Sequence, residues 1–504
     1  MSKQIRNLGV FLAVCYVALF LQVNRLTIFE ADELKARPEN TREIERDFAS
    51  PRGSVITADG VEIARSVPSD DQYRFQREYP TGALFAHVTG HYAFELGASG
   101  LERTYNDELA GDFDFELEDL SDLFVDRERV GNLTLSMRHD VQQAAADQLD
   151  GREGSVVAVD PRNGEILALY SNPSYDPNVL ADHNFNRAEE ASELFSLDPE
   201  KPLLGRSYQE NFFPGSTFKA VTATGGIERG GVTPDEPVYP ERDAYQPVSA
   251  NGEPVGQPIS NFEGSTCGGT LILVLQVSCN SAFAEMGAED VGADDMIEAA
   301  EAFGFNHDVP IDLPDPARSV FPTEVEGTPL VQNPAVVAQL AIGQNEVGAT
   351  PLQMALVAAA VANGGEIMTP HVVREVRDDQ GEVVDTAPTD EVWARAMDGD
   401  TADLLHEAML AVVDGGTASR LDDQLDGFVV GGKTGTAELG TPEPRSHAWI
   451  IGFAGPEGEP PSVAVAVIVE GQPGVSEQTG GTVAAPIASA VMQRALERPA
   501  APAD

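Results

Sequence analysis

Ser155-Val156-Val157-Ala158-Val159, Asp160-Pro161-Arg162-Asn163-Gly164 and Glu165-Ile166-Leu167-Ala168-Leu169 read in succession as strand, turn and strand. Each apolar run has strand length, and the residues between them are those that reverse a chain, so the stretch predicts a hairpin. Two more strand-like runs, His447 to Phe453 and Val463 to Val469, flank Gly455-Pro456-Glu457-Gly458, and Val429-Val430 leads into a segment ending at Lys433. Ala- and Leu-rich stretches around Met296 to Phe303, Pro351 to Asn363 and Thr401 to Val413 have helical character. Strand pairs enclosing a helical block predict a mixed α/β (α+β) domain, with a central antiparallel sheet flanked by helices rather than a doubly wound one. This domain is placed at residues 151–496, and the Pro/Ala-rich residues 497–504 are expected to form a flexible tail.

Upstream the texture changes. Asp59-Gly60, between Val55-Ile56 and Val61-Glu62-Ile63-Ala64, has the signature of a tight hairpin turn and opens a small β-rich region. It belongs to an N-terminal pedestal at residues 27–150. Within that pedestal Thr27 to Phe48 is charged and compatible with helix, and Asp112 to Arg129 is acidic enough to be a solvated face. The first residues differ again: Lys3 and Arg6 precede Leu8 to Leu21, which carries no charge. With Ile5, Val23 and Leu26 the apolar run approaches a membrane span. The preceding positive charge predicts a cytoplasmic N-terminus, with the rest of the chain outside. No small-residue cleavage site follows the run, so residues 1–26 read as an uncleaved single-pass signal anchor.

The formal net charge is -50 over 504 residues. Such a surface repels phosphate backbones, which excludes nucleic acid as a partner. The eight His are scattered, with no ligand spacing for a metal and no cofactor motif nearby. The basic residues are more informative: of 32, only five are Lys, and two of these stand in Pro214-Gly215-Ser216-Thr217-Phe218-Lys219 and Lys433-Thr434-Gly435-Thr436. Lysine can give up its proton when desolvated and guanidinium cannot, so Ser216 three residues before a rare Lys219 suggests a nucleophile with its base. Pro214-Gly215 marks a helix start, which puts Ser216 in the first turn among free N–H groups and Lys219 on the same face. To act as a base, Lys219 must move from about 10.4 to near neutrality, about 4 kcal/mol of bias against its charged form.

A Ser-X-X-Lys pair alone is a weak signal, since a capping Ser beside a snorkelling Lys has the same spacing. Two further motifs outweigh that reading. Ser278-Cys279-Asn280 follows an apolar helix-like run and offers a hydroxyl and an amide. Lys433-Thr434-Gly435-Thr436 follows a strand, and Gly435 is expected to clear that edge for an extended substrate peptide.

In order and spacing these motifs resemble the penicillin-binding proteins and serine β-lactamases. Arg52-Gly53-Ser54-Val55-Ile56, Tyr79-Pro80-Thr81-Gly82, Ser99-Gly100-Leu101-Glu102 and Gly343-Gln344 through Ala355 are similar to class B, monofunctional members. The compact N-terminal part and the central Cys279 are similar to its actinobacterial branch. The resemblance implies a D,D-transpeptidase acting on the D-Ala-D-Ala end of peptidoglycan stem peptides, with β-lactams as covalent inhibitors and divisome or elongasome proteins as partners. It implies Ser216 as nucleophile, Lys219 as base, Ser278 as proton shuttle and Asn280 as a hold on the substrate amide. Lys433 would lower the Lys219 pKa and, with Thr434 and Thr436, bind the terminal carboxylate. The backbone N–H groups of Ser216 and Thr436 would form the oxyanion hole. A carboxypeptidase or β-lactamase-like hydrolase shares all three motifs, and a β-lactam sensor or scaffold shares the acylated serine.

Cys15 lies in the apolar N-terminal run, which leaves Cys267 and Cys279. An oxidising compartment permits a bridge between them, and two buried thiols are the alternative. His447, just before Trp449, reads as a packing residue.

Overall fold

The computed structural model describes residues 3–25, 48–111, 130–440, 445–472 and 478–497. The charged segment expected before Phe48, the acidic stretch at 112–129 and the tail from Arg498 lie outside these residues. The chain divides into two units, residues 1–51 with 67–76 and residues 52–66 with 77–504.

The first unit contains α1, Lys3–Asn24, whose apolar side chains are bare: Phe11 is 63% exposed and Leu19 65%. Among the described residues no helix is long and apolar enough to cross a membrane.

The second unit is built on five strands: β1 (Gly154–Val159), β2 (Ile166–Asn172), β3 (Phe428–Glu438), β4 (Ser446–Pro456) and β5 (Val463–Val469). They form one sheet in the order β3-β4-β5-β1-β2, with antiparallel neighbours throughout. Every residue of β1 and β5 is buried, so both faces of the sheet are covered, and their sequences are continuous apolar runs rather than alternating ones. The cover comes from α3 (Pro351–Ala362), α4 (Gly399–Val413) and α5 (Ala485–Glu497), with α2 (Lys219–Glu228) packed on α4. Helix α3 packs on β4, β5 and β1, α5 packs on β4 and β5, and α4 meets β3. All twelve residues of α3 are buried, as a helix apolar on every side requires. Its start is set by Pro351 at the first turn and by Thr350, whose hydroxyl accepts from Gln353 N–H.

Of the two glycine pairs that read as terminators of helix α2, Gly230-Gly231 follows its end, and the helix does not stop at Gly225-Gly226. It continues to Glu228 because both glycines are contact points: a Cβ on Gly226 would lie 2.9 Å from Met286 Sδ, and one on Gly225 3.2 Å from Ala299 Cβ.

The hairpin expected around Asp59-Gly60 forms, with Val55 opposite Ala64 and Ile56 opposite Glu62. Its sheet reaches beyond the N-terminal segment. Asn132–Leu135 runs parallel to Val55–Ile56 and antiparallel to Val373–Arg377, which in turn pairs with Val383–Thr386. Residues far downstream complete this sheet, with Val373, Glu375 and Val376 buried and Arg374 and Arg377 partly exposed. The segments Arg52-Gly53, Arg77 to Tyr79 and Ser99 to Glu102 converge on one buried carboxylate. Glu102, fully buried, accepts from Arg52 Nε at 3.0 Å, Arg77 Nε at 2.5 Å and Tyr79 OH at 3.2 Å. Burial alone raises the Glu102 pKa, but the two guanidinium groups overcome it and hold the carboxyl below its ordinary value.

Candidate active site

The nucleophile candidate sits where two backbones nearly touch. Gly215–Phe218 is a 3-10 turn leading directly into α2, and Ser216 is its one half-buried residue among buried neighbours. Gly215 has φ +55, and a Cβ there would lie 2.7 Å from Thr436 O, so only glycine brings this turn against β3. Its N–H donates to Gly343 O at 2.9 Å, while Thr217 Oγ1 donates to Pro214 O at 2.7 Å. Phe218 stacks on Phe321 with centroids 5.5 Å apart and meets Phe305 edge-on. The turn is locked from three sides, which leaves the Ser216 hydroxyl as its exposed chemistry.

Lys219 Nζ donates to Asn280 Oδ1 at 2.6 Å, to Ser278 O at 2.8 Å and to Ser278 Oγ at 3.2 Å. From the other side Lys433 Nζ donates to Ser278 Oγ at 2.8 Å and to Thr434 O at 3.0 Å. Ser278 is therefore a hydroxyl between two ammonium groups, and the three motifs meet in one cleft. Its backbone takes a left-handed φ of +57, rare for a residue with a side chain. The reach expected from Lys219 to Ser216 is instead spent on the second motif, because Asn280 and Ser278 supply three acceptors to the buried ammonium. Lysine stems are mobile, and catalytic hydrogen bonds tighten when substrate arrives.

Both lysines are fully buried, and among the described residues no carboxylate is bonded to either ammonium. Burial, and after it the charge of Lys433, push Lys219 well below the ordinary lysine value. Desolvation is the larger cause and the Lys433 charge the smaller. Lys433 is itself lowered to about 7 by burial.

The second motif is pinned in place. Cys279 forms a disulfide with Cys267, whose short strand pairs with Tyr239–Arg242. Asn261 adds a second hold, accepting from Ser281 N–H at 2.8 Å and donating to Arg242 O at 2.8 Å. Asn280 Nδ2 donates to Ser260 O at 3.0 Å, which orients its oxygen toward Lys219.

Strand β3 is an edge of the sheet, so its outer side is open to an added strand. Thr434 and Thr436 lie on it, opposite Ile450 and Ala448. Gly435 does not serve that open edge as expected. A Cβ there would meet Pro214 O and Thr217 Cγ2, each at 2.9 Å, so the missing side chain makes room for the nucleophile's own turn. His447 is a packing residue: its ring meets Phe212 edge-on, Nδ1 accepts from Gly471 N–H at 3.2 Å, and burial lowers it to about 4.

Residues 154–493 match the model of the penicillin binding protein transpeptidase domain. The chain belongs to the penicillin-binding protein transpeptidase family. Residues 52–133 match a penicillin binding protein A dimerisation domain. Peptidoglycan D,D-transpeptidase PbpA of Mycolicibacterium smegmatis is 37% identical over 514 residues, covering 98% of this chain and 99% of that protein. PbpA of Mycobacterium tuberculosis is 34% identical over 515 residues, covering 99% of each. The solved penicillin-binding protein A from M. tuberculosis, a ceftriaxone acyl-enzyme complex, superposes with TM-score 0.80 at 34% identity, over 90% of this chain and all of that one.

This penicillin-binding protein fold uses residues that motif reasoning passed over. Phe283 presents its ring to Lys219 Nζ at 5.5 Å from the centroid, and Asn261 braces the second motif. Neither has a sequence signal, because an apolar helix residue and a loop Asn look ordinary. Gly343, quoted only as part of a family likeness, is the residue that receives the Ser216 turn.

Proposed function

We infer that the protein is a serine-type peptidoglycan D,D-transpeptidase that works through an acyl-enzyme and is covalently inhibited by β-lactams. Ser278 Oγ, within hydrogen-bonding distance of both Lys219 and Lys433, is the observation that carries this reading, since it joins all three motifs in one proton path.

Ser216 Oγ attacks the carbonyl of the penultimate D-Ala, and neutral Lys219 takes the hydroxyl proton. The N–H groups of Ser216 and Thr436 stabilise the oxyanion at the mouth of the turn. Ser278 passes the proton to the departing amine as the C–N bond breaks and D-Ala leaves. Asn280 holds the substrate amide, while Lys433, Thr434 and Thr436 hold the terminal carboxylate. An amine of a neighbouring stem then attacks the ester and restores Ser216 with a new peptide bond.

Around this centre, residues 151–496 form the transpeptidase domain and 27–150 its pedestal. A protein-contacting role for the pedestal, toward divisome or elongasome proteins, is supported by the dimerisation-domain match over 52–133. Residues 1–26 anchor the chain in the cell membrane with the N-terminus inside. That anchor is supported by the uncharged run Leu8 to Leu21 and its bare apolar side chains.

A fluorescent penicillin is expected to label the protein covalently, and Ser216→Ala to lose all label. Label persisting on that variant refutes the assignment. Mass spectrometry with a stem-peptide thioester and an acceptor D-amino acid is expected to show the exchanged product. Free acid alone, with abundant acceptor, identifies a carboxypeptidase.

A further inference from the structure

The Thr434 hydroxyl does not stand alone on β3. Thr417 Oγ1 lies 2.6 Å from Thr434 Oγ1, and while Thr434 is 7% exposed, Thr417 is open to solvent. Thr417 belongs to the tight loop that leaves α4, and that loop is fixed at both ends of the cleft. Its N–H donates to Gln276 O at 3.3 Å, and Gln276 Nε2 donates to Asp414 O at 3.1 Å, tying it to the helix that ends just before Ser278. On the other side a Cβ on Gly481 would lie 2.4 Å from Thr417 O, and Arg420 Nη1 donates to Thr482 O at 3.1 Å. The Thr417 hydroxyl is thus held at the mouth of the cleft by backbone contacts on both sides.

We propose that Thr417 is a positioning residue for carboxylate-bearing ligands, acting through Thr434. The proposal rests on the assignment of Thr434 to the substrate's terminal carboxylate. The direction of the hydrogen bonds carries the rest. A carboxylate only accepts, so Thr434 must spend its single proton on it. With that proton committed, the contact between the two hydroxyls survives only if Thr417 donates. Thr417 therefore fixes the Thr434 rotor with its hydrogen toward the ligand, and the chain from Thr417 through Thr434 to the carboxylate polarises each member. Free of ligand, the same pair can reverse its donor and acceptor at no cost in geometry. The ligand class follows: stem peptides ending in D-Ala and β-lactams with a free acid, and not their esters.

The test compares benzylpenicillin with its methyl ester on the full-length wild type, Thr417→Val and Thr417→Ser, with saturation curves that separate binding from the limiting acylation rate. Loss of one neutral hydrogen bond predicts about 3- to 10-fold weaker use of the acid by Thr417→Val, through binding, with the limiting rate unchanged. Thr417→Ser, which keeps the hydroxyl, restores it, and all three proteins treat the ester alike. An equal loss on acid and ester, a loss confined to the limiting rate, or no loss overturns the proposal. Should the wild type itself react equally with acid and ester, the assignment of Thr434 fails first and takes the proposal with it.

Discussion

Around Glu102 the fold surrounds one buried carboxylate with two guanidinium groups, whereas around Ser278 it buries two ammonium groups and, among the described residues, bonds neither to a carboxylate. Both places remove charge from water, at a cost of several kcal/mol per ion before any compensation. At Glu102 opposite charges offset that cost and the ionised form wins, so the pKa falls below its ordinary value. At the lysines a hydroxyl, two carbonyls and a side-chain amide oxygen accept, and the neutral form gains. One arrangement fixes a scaffold; the other creates a base. Choice of residue follows from this: Arg, which stays charged, serves the first, and Lys, which can discharge, serves the second. The contrast turns the shortage of lysine in the sequence into a physical statement.

Breaking the comparison on the catalytic side has the largest expected effect. Lys219→Arg keeps the positive charge but cannot yield a free base at working pH. Acylation by the folded fraction with benzylpenicillin is expected to slow by about 10²- to 10⁴-fold, the usual worth of a positioned general base, and the melting temperature to fall as well, because a guanidinium that cannot discharge is buried without a counter-charge. Stopped-flow or gel-based acylation kinetics read this directly. On the scaffold side, Glu102→Gln removes the carboxylate that two buried guanidinium groups share. It is expected to destabilise the fold by about 3–5 kcal/mol in denaturant titration, while the fraction that remains folded acylates at the wild-type rate. An altered acylation rate in that folded fraction would mean the two regions are not separate in function. The smallest effect sharpens the reading of the turn itself: Gly435→Ala forces a methyl against Pro214 O and Thr217 Cγ2. Overpacking of about 1–3 kcal/mol is expected, with slower acylation because Ser216 is displaced, and no change at all would return Gly435 to the substrate edge.

The antiparallel sheet was legible because its strands are buried on both faces and read as unbroken Val, Ile and Ala runs beside Gly- and Pro-marked turns. The three motifs were legible because their residue types are scarce or specific, the two lysines above all. Other features depended on contacts between distant segments. Nothing local in Val373 to Arg377 says that it pairs with Asn132 to Leu135. The bridge between Cys267 and Cys279 stayed open in sequence, since a thiol pair and a disulfide have the same spacing. Gly435 was misread because a glycine advertises missing bulk without saying which neighbour needs the room. Thr417 gave no signal, being a loop threonine whose partner lies on a strand seventeen residues away.

Burial and Lys433 together hold the Lys219 pKa well below the ordinary lysine value, which favours the neutral form that takes the Ser216 proton. A neutral lysine is the active form, so acylation falls as pH drops through the Lys219 pKa, and a depressed pKa moves that fall to lower pH. The pH dependence of the second-order acylation rate of the wild type by benzylpenicillin tests this most directly. The rate is expected to level off well below pH 10.5, the ordinary lysine value, with its acid-side midpoint correspondingly lowered. A rate that keeps climbing toward pH 10.5 would show an ordinary lysine at position 219 and contradict the account.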